Sequence, residues 1–447
     1  MEKNLSDGLP LPQRYGAIAT IIIGISMAVL DGAIANVALP TIATDLHASP
    51  ASLIWIVNAY QIAIVVSLLS FSFLGDMFGH RRVYQCGLVV FTFTSLLCAL
   101  SDSLHTLTLA RIAQGFGGAA LMSVNTALIR LIYPHRGMGI NSFIVAVSSA
   151  AGPTIAAAIL SVASWQWLFA INVPLGIVAI FFALRFLPAN GSKNTMPRFD
   201  VASAVMNALT FGLLITALSG FAQGQSLMLT AVELVALLVT GFFFVRRQLS
   251  LPVPLLPVDL LRIPLFSLSI CTSVCSFCAQ MLALVSLPFF LQSVIGRSEV
   301  ETGLLLTPWP LATMVMAPLA GYLIERVDAG LLGAVGLAVM ATGLFALALL
   351  PSSPGDLDII WRMILCGAGF GLFQSPNNHT IITSAPRHRS GGASGMLGTA
   401  RLLGQSTGAA LVALMFNLAG QNGNHVALLT AGALATLAAI VSGLRVT

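Results

Sequence analysis

Between residues 16 and 444 one pattern repeats: an apolar stretch of about twenty residues, a short polar break, then another apolar stretch. That length matches the hydrocarbon core of a bilayer, which is about 30 Å thick and is crossed by about 20 residues of helix. Stretches such as 16–30 and 331–350 are apolar on every side rather than at alternate positions. They read as helices, not as strands of a membrane barrel. Composition agrees: 57% of the 447 residues are apolar and 8% charged, with a mean hydropathy of +0.94. A soluble protein is about 25% charged. A chain so poor in charge cannot keep a water-facing surface, so lipid must be its solvent.

The pattern predicts an all-α integral membrane protein with fourteen spans, at 16–39, 52–74, 83–101, 105–130, 140–162, 168–187, 200–222, 226–245, 265–292, 302–325, 330–350, 359–382, 394–417 and 425–444. At about 20 residues each, these leave no room for a soluble catalytic domain. The loops support the map. With both termini in the cytoplasm, the inner loops hold Arg81, Arg82, Arg136, Lys193, Arg198, Arg246, Arg247, Arg262, Arg326, Arg387 and Arg389. Lys3, Arg14 and Arg445 lie on the tails of the same side, while the outer loops hold Asp45, Asp102, Glu299, Glu301, Asp356 and Asp358, with Arg297 their clear basic residue. Cytoplasmic loops collect Lys and Arg, so the net charge of +5 calls for no nucleic-acid partner. The first apolar stretch reads as a retained anchor rather than a cleaved signal. Of six cysteines, Cys271, Cys275 and Cys278 share one helical face without a His or carboxylate beside them. They read as packing residues, and no metal is expected.

An internal repeat orders the spans. The loop after span 2 reads Leu74-Gly75-Asp76-Met77-Phe78-Gly79-His80-Arg81-Arg82, and the loop after span 10 reads Gly321-Tyr322-Leu323-Ile324-Glu325-Arg326. Asp76 and Glu325 are 249 residues apart. Gly115-Phe116-Gly117 in span 4 and Gly369-Phe370-Gly371 in span 12 are 254 apart, followed by Asn125 and Asn377. The near-equal offsets predict two related six-helix halves, 1–187 and 265–447, with linkers and two inserted helices over 188–264. Two like-oriented halves with a site between them near mid-membrane are a transporter plan.

These motifs resemble the major facilitator superfamily, specifically its fourteen-span drug:proton antiporters, over nearly the whole chain. The segment 72–82 resembles the family's G-x-L-x-D-x-x-G-R-R/K loop, with Ser72 in place of its first glycine. Asp76, Gly79, Arg81 and Arg82, with Glu325 and Arg326 in the second half, are the expected gating residues. A carboxylate and an arginine there can form a bridge that holds one conformation and breaks in the other. Leu109–Ala120 resembles the family's span 4 segment around Arg111. Gly139, Ser148, Gly152, Pro153, Ala156 and Ala157 follow the spacing of the antiporter motif of span 5, with three of its glycines replaced. The resemblance implies a monomeric secondary exporter in the bacterial inner membrane, working by alternating access. It would exchange lipophilic, cationic drugs for protons, with no cofactor beyond the proton gradient. The alternative is a transporter of one metabolite or organic anion.

Charges inside the bilayer are costly and tend to be functional. Asp31 and Arg111 fall at similar depth in spans 1 and 4, which line the cavity in this superfamily. Asp31 is expected to exchange a proton for a cationic substrate, with Arg111 tuning it. Glu233 in span 8 is a further proton-site candidate. Trp55, Asn58, Tyr60, Gln61, Asn125, Phe289, Gln292, Trp309, Phe373, Gln374, Asn378 and Arg401 are expected to line the cavity, where aromatic rings suit flat cations. The seven histidines are scattered and no P-loop is present, so neither a membrane enzyme nor direct ATP drive is expected.

Overall fold

The computed structural model describes residues 9–132, 137–189, 199–222, 224–251, 254–351, 354–386 and 390–445. Lys3, Arg136, Lys193, Arg198, Arg387 and Arg389, on which part of the loop-charge argument rests, lie outside them. The described residues form helices and no strand: α1 Leu11–Asp45, α2 Pro50–Phe78, α3 His80–Ala99, α4 Leu104–Ile132, α5 Gly137–Leu160, α6 Trp167–Ala170, α7 Asn172–Phe186, α8 Val201–Ala222 and α9 Leu227–Ser250 in the first part of the chain. They continue with α10 Pro264–Phe289, α11 Glu299–Leu306, α12 Pro308–Leu323, α13 Ala329–Ala348, α14 Asp356–Ser384, α15 Ser390–Ala419 and α16 Gly423–Gly443.

Twelve stretches among the described residues are long and apolar enough to cross a membrane, rather than the fourteen expected. Helices α6 and α7 make one such stretch, and α11 and α12 another. The two expected spans outside the twelve are 140–162 and 359–382, where α5 and α14 run. Helix α14 carries Asp356, Asp358 and Arg362 in its first turns, with Gln374, Asn377, Asn378 and His379 after them. In α5 the described apolar segment is only Ala151–Leu160.

Helix ends follow local chemistry. Ser49 accepts from the Ser52 N–H at 3.2 Å at the start of α2, and Ser298 with Glu301 forms a capping box on α11. Gly79, between α2 and α3, has φ 99°, a conformation that disfavours side chains with a Cβ and explains the glycine of the loop motif.

Helices α1–α5 and α7 pack among themselves, as do α10 and α12–α16. The two groups meet along α2 and α15, and also at the end of the bundle where α1 finishes. There the Thr41 hydroxyl donates to Glu299 at 2.5 Å, Gln292 Nε2 donates to the Val37 carbonyl at 3.4 Å, and Thr154 and Thr307 share a hydrogen bond of 2.8 Å. Gly303 of α11 lies against the Pro153 carbonyl and Ala157 of α5, where a Cβ would stand 2.6 Å from each. The inserted pair is asymmetric. Helix α8 packs on both α2 and α15, bridging the groups, with Asn207 donating to the Val66 carbonyl at 3.0 Å. Helix α9 packs on α8 and leaves Val235, Leu238 and Phe242 exposed, a face that suits lipid.

Arg247 near the end of α9 makes a two-bond pair with Asp200 before α8, at 3.0 and 2.9 Å. Those bonds, more than any other influence, hold the Asp200 carboxyl at about 2, below its ordinary 3.8. A lowered carboxylate contributes stability that is complete above its ordinary value and is lost as pH falls through the folded value. Wild type is therefore expected to exceed Asp200→Asn at pH 5 by less than about 1 kcal/mol, the pair being partly exposed. That margin should close as pH falls from about 4 to about 2. Thermal unfolding of both proteins in detergent across this range checks it; a margin independent of pH would reject the assignment.

Candidate functional site

The charges of α1 and α4 meet inside the N-terminal group. Arg111 Nη1 forms a short ion pair with Asp31 Oδ2 and also donates to Gln114 Oε1 at 2.6 Å. Arg111 Nε donates to the Ile56 carbonyl at 3.3 Å. The other oxygen of Asp31 accepts from Gln114 Nε2 at 2.9 Å and from Asn172 Nδ2 at 3.3 Å. Gln114 Nε2 also donates to Ser95 Oγ at 2.8 Å. The guanidinium lies 4.2 Å from the Tyr60 ring centre and 5.5 Å from that of Phe169. Asp31 is 2% exposed and Arg111 1%. Both charges are thus buried and neutralise each other within one hydrogen-bonded network drawn from α1, α2, α3, α4 and α7.

Sequence reading named Asp31, Arg111 and Tyr60 but passed over Gln114, Ser95 and Asn172. Gln114 carried a signal: three residues after Arg111, it lies on the same face of α4. Ser95 and Asn172 carried none, because their roles depend on how α3 and α7 pack around α1.

The other candidates are dispersed. Glu233 sits on α9, accepting from Gln225 Nε2 at 2.9 Å, and is not part of the Asp31 network. In the loop motif Asp76 meets His80 Nε2 at 3.5 Å, and Arg81 donates to the Leu184 carbonyl at 2.6 Å, while Arg82 is exposed. Asp76 thus contacts His80, one turn on, in this structure. Glu325 and Arg326 are exposed in the turn after α12, with Arg326 over the Tyr322 ring at 4.9 Å. In α5, Ser148 bonds Ser26 of α1 at 2.8 Å, Pro153 and Ala157 abut Gly303, and Gly152 and Ala156 are buried. Gly139 lies within α5, but its surroundings fall outside the described side chains.

Among the expected cavity residues, Phe289 packs on Phe416 at 5.3 Å and Phe373 on Phe370 at 6.3 Å, both inside the C-terminal group. Trp309 is 1% exposed, and its backbone supports Gly367. Asn58, Gln61 and Asn125 are buried; Trp55, Gln292, Gln374, Asn378 and Arg401 are half-buried. Arg445, read as a tail residue on the cytoplasmic side, is 5% exposed and ties α16 to its neighbours through Ser269 at 2.8 Å and Asn377 at 2.6 Å. Burial pushes its guanidinium down to about 10.

The model of the Major Facilitator Superfamily matches residues 21–409, nearly the whole helical array. The chain belongs to the major facilitator superfamily. It is 82% identical to the uncharacterized transporter YebQ of Escherichia coli (strain K12), covering 100% of this chain and 99% of that one. Similarity extends at 28% identity to the riboflavin transporter RibZ of Clostridioides difficile (strain 630), over 91% and 89% of the two chains. It extends at 30% to the multidrug resistance protein Stp of Mycobacterium tuberculosis (strain CDC 1551 / Oshkosh), over 87% and 73%. In fold it resembles a POT family transporter solved with a thioalcohol-conjugated peptide, with a TM-score of 0.74 at 13% identity, over 96% and 95%. The chain is thus a multi-pass membrane transporter of this superfamily.

Proposed function

We propose that this transporter is a proton-coupled exporter of lipophilic small molecules in the bacterial inner membrane. In this reading fourteen spans, 6 + 2 + 6 with both termini cytoplasmic, form two halves, 1–187 and 265–447, that rock against each other. The observation that carries it is the buried Asp31–Arg111 pair. Protonating Asp31 would leave Arg111 as an uncompensated buried cation, which low dielectric makes costly. The network must then rearrange, so proton binding can bias the packing of α1 and α4 and with them the seam at Thr41–Glu299. The multidrug relative supports export; the riboflavin transporter supports a single metabolite as the second reading.

The test is transport in proteoliposomes under an imposed pH gradient, paired with dye efflux in cells lacking other pumps. Gradient-dependent movement of a lipophilic dye is expected in wild type and its loss in Asp31→Asn. Coupling that survives this substitution unchanged would remove Asp31 from the proton path. Both oxygens of Asp31 already have partners, so the cationic preference first drawn from it loses its support.

A further inference from the structure

Arg401 lies well inside α15, eleven residues from its first residue and eighteen from its last. Three residues before it, a Cβ on Gly398 would touch Leu68 of α2 at 3.4 Å; three residues after it, a Cβ on Gly404 would meet the Val274 carbonyl and Phe277 of α10. Successive steps of three turn a helix by about 60° net. Arg401 therefore leaves α15 between a face turned to the N-terminal group and a face turned to α10, at the seam between the halves. Its guanidinium lies 5.8 Å from the centre of the Phe277 ring, and its Nε is buried without a hydrogen-bond partner.

Among the described residues the charge has no ion-pair partner. Among the described residues, only Asp31 and Glu233 are carboxylates away from helix ends and loops. Asp31 is bound to Arg111, and Glu233 is on α9, which packs on α8 and not on α15. A guanidinium kept in a span without a partner faces water or a ligand. Across the seam, Gln61 lies seven residues before Leu68 on the same face of α2, and its buried amide oxygen also has no partner. Helices α2 and α15 run antiparallel here, since Leu69 meets Gly395 and Leu68 meets Gly398. Gln61 thus follows Arg401 along the same seam.

We propose that Arg401 is the docking point for an anionic group of the transported molecule, so that the substrate is a flat apolar anion. This rests on the exporter reading and names its substrate class. A planar carboxylate matches the two-pronged donor pattern of arginine. An aromatic body stacks beside Phe277, and a hydroxyl or N–H on the far side of the molecule donates to the Gln61 oxygen.

The test uses full-length protein in nanodiscs and equilibrium dialysis, with empty nanodiscs as blank. The probes are coumarin-3-carboxylate, its neutral carboxamide, and a coumarin bearing an aminomethyl group. Wild type is expected to bind the carboxylate about tenfold or more tightly than the amide, as a charge-assisted pair requires. Arg401→Lys should keep the sign of that preference at reduced size, since the point charge remains and the two-pronged contact is lost. Arg401→Gln should erase it while changing amide affinity less than about twofold. Equal affinities in wild type, tighter binding of the ammonium, no saturable carboxylate binding, or an undiminished preference in Arg401→Gln would each overturn the proposal. Should Arg401→Gln fail to fold, Arg401→Met is the charge-free variant, and an undiminished preference there overturns the proposal. Dialysis needs no gradient, so failure of proton-driven export leaves this result standing, and the reverse holds too.

Discussion

Arg111→Gln is expected to destabilise the protein by about 3–5 kcal/mol, the cost of leaving one partner of a buried ion pair alone. Asp31 would then keep its bonds from Gln114 and Asn172 but carry an uncompensated charge at 2% exposure. Asp31→Asn should cost a similar amount, since it strands the guanidinium instead. The informative protein is the double variant Asp31→Asn/Arg111→Gln. It removes both charges, keeps most of the volume and preserves several amide bonds, so it should recover much of the loss. A coupling energy of about 2 kcal/mol or more between the two sites is expected from thermal unfolding of all four proteins in one detergent. Additive single effects would show that the pair contributes little as a pair. Recovered stability without recovered transport in the double variant would separate the structural role of this network from the coupling proposed for it.

Gly367→Ala is the second large effect. An added Cβ would stand 2.0 Å from the Trp309 carbonyl oxygen and within 3 Å of the carbonyl carbon and Cα. All three are backbone atoms, so α12 must move away from α14 as a body. Overpacking in a tight core costs about 1–3 kcal/mol, and a clash with backbone belongs at or above the top of that range. Gly241→Ala in α9 is the control: its nearest neighbour would be Thr210 at 3.7 Å, an ordinary contact. Alanine there should be neutral or stabilising by up to about 1 kcal/mol, through helix propensity. A Gly367→Ala protein that melts with wild type would contradict the close approach of these helices.

Much of the architecture was legible in the chain because the bilayer imposes one requirement on every span. Helices α1–α4 and α7–α10 lie where the apolar runs placed them. Helix α14 is not among the twelve apolar stretches, and its carboxylates and amides serve helix ends and packing. Asn377, read as a repeat marker, holds Arg445 and Ser273, a role fixed by how α16 folds back. The candidate site was legible in part. Asp31 and Arg111 stand out because charge is rare in such a chain. That they neutralise each other, while Arg401 is left alone beside Phe277, depends on contacts across 80 residues in one case and 124 in the other.

The sequence by itself determined that this chain lives in lipid and that its spans are helices, because hydrophobic length is a local property summed along the chain. Only the tertiary structure decided which buried charges cancel, Asp31 against Arg111, and which lies without an ion pair among the described residues, Arg401. An intramembrane charge is defined by its partner, and the partner is chosen by how helices far apart in sequence pack.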